Sequence, residues 1–142
     1  MVLDGLKGKT ALVTGGTRGI GASIAKELHD LGVTTIITGT KSDYTPLDGY
    51  QYICVDFSKK DNLYKFVNEI REKQIDILIN NAGINQIGPI SELSVSDFDK
   101  VQRVNVTAPF MLCQVVLPSM RDKKWGRIVN MSSIWGKISK AY

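Results

Sequence analysis

Apolar and polar positions alternate along the chain between two kinds of segment, short apolar runs and stretches of helical period. Thr10 to Thr14 is an apolar run that ends in a glycine-rich turn. Ile20, Ile24, Leu28 and Leu31 then recur at helical spacing until Gly32 stops the pattern. Val33 to Thr38 is β-branched almost throughout, and Tyr50 to Val55 is a further run of strand length. Ser58 with Asp61 predicts the cap of a helix that lines one face with Leu63, Phe66, Val67 and Ile70. Ile75 to Ile79 predicts a fourth strand, about Ser96 to Met120 a long helix, and Arg127 to Met131 a fifth strand.

Unbroken apolar runs predict strands covered on both faces, and strands separated by helices predict right-handed parallel crossovers. The expected architecture is a doubly wound α/β parallel sheet, and in its dinucleotide-binding, Rossmann-type version the order would be 3-2-1-4-5. A ligand is expected over the carboxyl ends of the strands, at the reversal between strands 1 and 4. Such a sheet usually has a sixth strand, so residues 1–142 read as a single dinucleotide-binding domain, truncated after strand 5. Strand 5 is then an edge, and Ile128, Val129 and Ile134 beside it predict self-association or poor solubility.

A hydrophobic fraction of 43% with 23% charged residues excludes wholesale disorder. The formal charge of +4 raises nucleic-acid binding, but the basic residues are scattered. Their nearest cluster, Arg121, Lys123, Lys124 and Arg127, reads as a solvated helix end, so no nucleic-acid partner is expected. Met1 to Lys9 has no apolar core of a signal peptide, which predicts a cytoplasmic protein. Val104 to Leu117 is interrupted by Asn105, Pro109 and Gln114 and is too short to span a bilayer. Cys54 and Cys113 lack metal-type spacing and are expected to be buried reduced thiols; His29 is expected at the surface.

The chemistry begins at Thr14-Gly-Gly-Thr-Arg-Gly-Ile-Gly21, between a strand and a helix. Gly15 and Gly19 allow a tight turn and close approach to a pyrophosphate on the helix N-terminus, and Gly21 allows close packing. The alternative is a helix start that needs glycines only to turn.

Gly15, Gly19 and Gly21 at TGxxxGxG spacing, Asn80-Asn-Ala-Gly83 after strand 4, and Arg127-Ile-Val-Asn-Met-Ser-Ser133 together resemble the short-chain dehydrogenase/reductase family. The resemblance covers residues 5 to 142, a little over the first half of a family member. It implies hydride transfer between a nicotinamide cofactor and a small carbonyl or alcohol substrate. The implied cofactor residues are Gly15, Thr17, Arg18, Gly19, Ile20 and Gly21 in the turn, Asp56 on the adenine amino group, and Asn81, Ala82 and Gly83 along the adenosine. Two alternatives stand beside this: Asp56 capping a helix with Ser58, and Asn80 and Asn81 bracketing neighbouring strands.

NAD-selective sites place a carboxylate at the end of strand 2, but this strand ends Thr38-Gly-Thr-Lys41. Arg18 and Lys41 could flank a 2′-phosphate and Thr40 could donate to it, which favours NADP(H) over NAD(H) unless Lys41 is only a loop lysine.

Ser133 matches the family's catalytic serine and Asn105 its helix asparagine. Pro109 has no N–H for the Asn105 carbonyl, which frees that oxygen for a water of the family's proton relay, or merely kinks the helix. The family's Tyr-x-x-x-Lys is absent. Tyr142 follows Ser133 by nine residues, too few for the family tyrosine, and reads as part of the loop ahead of it. The expectation is an NADP(H)-dependent short-chain oxidoreductase, inactive or very weak alone, as a homo-oligomer or with a complementing second chain. The alternative is a catalytically incomplete nucleotide-binding or interaction module.

Overall fold

The structure, a computed structural model, describes residues 5–134; Tyr142 lies outside them. The chain runs β1 (Thr10–Val13), α1 (Gly19–Asp30), β2 (Thr34–Gly39), β3 (Tyr50–Cys54), α2 (Lys60–Arg71) and β4 (Ile77–Asn80). It continues through α3 (Val95–Gln102), a π turn (Arg103–Thr107), α4 (Ala108–Asp122) and β5 (Arg127–Asn130). All four pairings are parallel, in the order β3-β2-β1-β4-β5.

The two-residue period of β1 divides the core between the faces of the sheet. Leu12, with Ile36 and Leu78 on its neighbours, packs with Leu63, Phe66 and Ile70 of α2 and Leu112 and Val116 of α4. Ala11 and Val13 face the other way, with Ile37, Ile77, Ile79 and Ala25 of α1. Leu12 sits between Ile36 and Leu78 in register and is fully buried, as a central strand covered on both faces requires.

Four expectations are corrected. Ser58 does not cap α2: the helix starts at Lys60 behind Lys59, with no capping side chain, because both the N–H and the hydroxyl of Ser58 donate to Asp56 Oδ1. The long helix is not one α-helix from Ser96. It starts at Val95, where Ser94 accepts from the Asp97 N–H at 3.0 Å, and a π turn interrupts it. There the Ala108 N–H reaches the Arg103 carbonyl, one residue further back than in an α-turn, just ahead of Pro109. Cys54 is exposed and Cys113 half-buried, both free; Cys54 ends an edge strand, which has no neighbour to cover it. His29 is only partly at the surface, stacked on Tyr50 with ring centroids 4.8 Å apart. Among the described residues no helix is long and apolar enough to cross a membrane.

Candidate functional site

Thr14, the residue after β1, joins the glycine turn to the loop after β4. Its hydroxyl donates to the Ile79 carbonyl at 3.3 Å and accepts the N–H groups of Asn81 at 3.0 Å and Ala82 at 2.9 Å. The Asn81 amide returns the tie, donating to the carbonyls of Thr14 at 2.9 Å and Gly15 at 3.1 Å. On the β2 side, Thr38 accepts the Gly15 N–H on its hydroxyl and the Gly16 N–H on its carbonyl. The turn is thus held from both neighbouring strands.

Gly15 and Gly19 have φ of +65° and +55°, which a side chain would strain. A Cβ on Gly21 would lie within 2.4 Å of the Gly15 carbonyl oxygen, so α1 begins closer to the turn than any other residue permits. Arg18 precedes α1 in extended conformation, with no side-chain cap and no acidic residue in the first turn. The first amides of α1 therefore point outward without an internal acceptor, at the positive end of the helix dipole, a fit for an anion.

A cleft of about 840 Å³ lies in front of this turn, above the carboxyl ends of the strands. Gly15, Thr17, Arg18, Gly19, Ile20 and Gly21 form one wall. Thr40 and Lys41 line the end past β2, Asp56 the end past β3, and Asn81, Ala82 and Gly83 the side past β4. Every residue matched to a cofactor in the sequence lines this one cleft. A groove of 620 Å³ between α2 and α4 contains none of them.

The bracketing alternative describes what the Asn80 and Asn81 side chains do, since Asn80 Nδ2 bonds Asn130 Oδ1 at 2.8 Å across β4 and β5. Both oxygens of the Asp56 carboxylate have neighbours. Oδ1 accepts from Ser58, Oδ2 lies 4.0 Å from Lys59 Nζ, and the residue lines the cleft.

Neither Asn105 nor Ser133 lines the cleft. The Asn105 side chain clasps the backbone of Ile84, accepting its N–H at 2.9 Å and donating to its carbonyl at 2.8 Å, and so fixes the loop just past Gly83. Ser133 follows β5 on the same carboxyl side of the sheet and is exposed.

Tyr44, Tyr52, Ser58 and Lys100 also line the cleft, and the sequence did not assign them to it. Arg103, in the π turn, donates to the Ser58 carbonyl at 2.6 Å and ties the Asp56 loop to the segment that carries Asn105. The one available signal was the alternation of Tyr50, Tyr52 and Cys54 along β3.

A family model for short chain dehydrogenases matches residues 9–142. A 3-oxoacyl-acyl-carrier-protein reductase of Aquifex aeolicus is 37% identical over 92% of the chain, which spans 58% of that protein. A 2-dehydro-3-deoxy-D-gluconate 5-dehydrogenase of Formosa agariphila is 33% identical over 95% of the chain, which spans 56% of it. The chain thus spans a little over half the length of these curated relatives. Among solved structures, a metagenomic short-chain oxidoreductase in complex with NADP superposes with a TM-score of 0.86 at 32% identity, covering 96% of this chain and 66% of that one.

Proposed function

The chain belongs to the short-chain dehydrogenase/reductase family, and on that footing we propose that it binds NADP(H) and serves hydride transfer between that cofactor and a small carbonyl or alcohol substrate. The observation that carries the reading is the end of β2. Gly39 stands where a carboxylate would hold a ribose 2′-hydroxyl, with Thr40, Lys41 and Arg18 on the same stretch of cleft. Two cations and a hydroxyl with no acid between them suit a 2′-phosphate and offer a 2′-hydroxyl little. The NADP held by the metagenomic relative supports the same choice.

When bound, the nicotinamide supplies or takes the hydride. The chain's own residues do the rest of the holding. The first amides of α1 would meet the pyrophosphate, Arg18 and Lys41 would neutralise the 2′-phosphate, and Asp56 would accept from the adenine amino group. Asn105 fixes the loop after β4 through Ile84, and the Ser133 hydroxyl would orient a substrate oxygen. No tyrosine in the sequence is followed by a lysine four positions on. We therefore expect residues 1–142 by themselves to bind cofactor with little turnover.

Titration followed by nicotinamide fluorescence tests the cofactor choice. NADPH is expected to bind at least about tenfold more tightly than NADH, equivalent to about 1.4 kcal/mol. The margin should shrink as salt rises, because Lys41 and Arg18 are exposed. Equal or tighter binding of NADH would reject the reading.

A further inference from the structure

We propose that Tyr52 is a positioning residue for cofactor selectivity, fixing the backbone that carries Lys41 so that its ammonium is held ready for the 2′-phosphate. The inference rests on the NADP(H) reading above and adds to it a residue that carries no charge.

Lys41 opens the connection between β2 and β3, residues 40–49, which contains no helix or strand. An exposed lysine on such a connection would have to be ordered by each ligand it meets, at a cost in conformational entropy. Tyr52 removes part of that cost. Its hydroxyl, on the edge strand β3, donates to the Lys41 carbonyl at 2.6 Å, a bond across eleven residues of sequence. Its ring packs on Tyr44 from the same connection, with centroids 4.8 Å apart and planes tilted by 50°, so the connection is held at two points. Burial, ahead of the neighbouring Cys54, pushes the Tyr52 phenol above its ordinary value, so it remains an O–H donor at neutral and mildly alkaline pH.

The ring also reaches the decisive position on β2. Tyr52 is paired with Ile37 in register, yet a Cβ built on Gly39, two residues further on, would lie 3.0 Å from the Tyr52 hydroxyl and 2.6 Å from Thr17 Cγ2. A carboxylate for a 2′-hydroxyl would have to leave from that Cβ, into space that Tyr52 and Thr17 already occupy. One side chain thus helps to keep an acid out and a lysine in place, both in the direction of a 2′-phosphate.

The test uses two fragments of the cofactor, 2′,5′-ADP and 5′-AMP, titrated calorimetrically into the native chain, Tyr52→Phe, Lys41→Ala and the double variant. Phenylalanine keeps the ring and removes only the hydroxyl. Tyr52→Phe is expected to weaken 2′,5′-ADP roughly 3- to 10-fold and to leave 5′-AMP unchanged. In the Lys41→Ala background the same change should have almost no effect, because there is no ammonium left to place. Unchanged 2′,5′-ADP binding, an equal loss for both nucleotides, or full additivity with Lys41→Ala would each overturn the proposal. If the native chain itself does not prefer 2′,5′-ADP, the NADP(H) reading fails. If Lys41→Ala abolishes that preference and Tyr52→Phe does not touch it, only the role of Tyr52 fails.

Discussion

Thr14→Val is expected to cost about 2–4 kcal/mol of stability and to lower the melting temperature by roughly 6–15 °C. Valine has nearly the same shape, so the core around this 2%-exposed position keeps its volume. The hydroxyl, however, is the acceptor for two backbone amides, Asn81 and Ala82, and both lose that partner when a methyl replaces it. A buried donor left unpaired costs about 1–3 kcal/mol, more than the bond itself contributes. Cofactor affinity should fall in parallel, because Gly15 and the residues 81–82 all line the cleft. Calorimetric melting of the native chain, Thr14→Val and Thr14→Ser reads the effect, and the serine variant is expected to recover most of it. A Thr14→Val melting temperature within about 1 °C of native would show that the hydroxyl carries nothing.

Asp76→Ala is the second large expected effect, a loss of about 2–4 kcal/mol, below the 3–5 kcal/mol typical of a fully buried pair broken on one side. The discount reflects Lys123, whose side chain is 31% exposed and can return to water. Asp76 is buried at the opposite end of the sheet from the cleft. Its Oδ2 accepts the Thr10 N–H at 3.0 Å, its Oδ1 pairs with Lys123 Nζ at 2.9 Å, and its carbonyl takes the Arg127 N–H. One residue therefore joins the starts of β1 and β5 to the end of α4. Burial by itself would push the Asp76 carboxyl up; Lys123, the Thr10 N–H and Lys9 outweigh it and hold the carboxyl below its ordinary value of 3.8. Because the folded-state value is the lower one, this contribution is fully present above pH 3.8 and is lost as pH falls from there through the folded-state value. Urea denaturation at a series of pH values should show native stability dropping on that acid limb. Asp76→Ala should lack this component, and an unchanged acid limb would count against it.

The alternation of runs and helical periods was enough to obtain a doubly wound parallel sheet, and the glycine turn selected the dinucleotide-binding order that the structure has. Buried central strands are apolar at every position, and parallel strands need crossover helices, so both facts are written locally. The glycine turn was legible for the same reason, since a tight turn into a helix needs glycine at fixed offsets. The α2 cap was misread because the Ser58 hydroxyl could either accept a helix N–H or donate to a nearby acceptor, and it donates to the Asp56 carboxylate. Cys54 was misread because a strand's own composition does not say whether it will lie at an edge.

The sequence pattern thus determined the elements and their doubly wound arrangement, because these depend on periodicity and on backbone demands within a few positions, while the resemblance to a family pointed to residues that the structure gathers around one cleft. Tertiary structure alone decided what holds the cleft: Thr14 beneath Asn81 and Ala82, Tyr52 on the Lys41 carbonyl, Arg103 on Ser58, and Asn105, in the π turn, clasping Ile84. Each of those bonds joins segments eleven to 68 residues apart, and a pairing across that distance exists only once the sheet has brought its strands side by side.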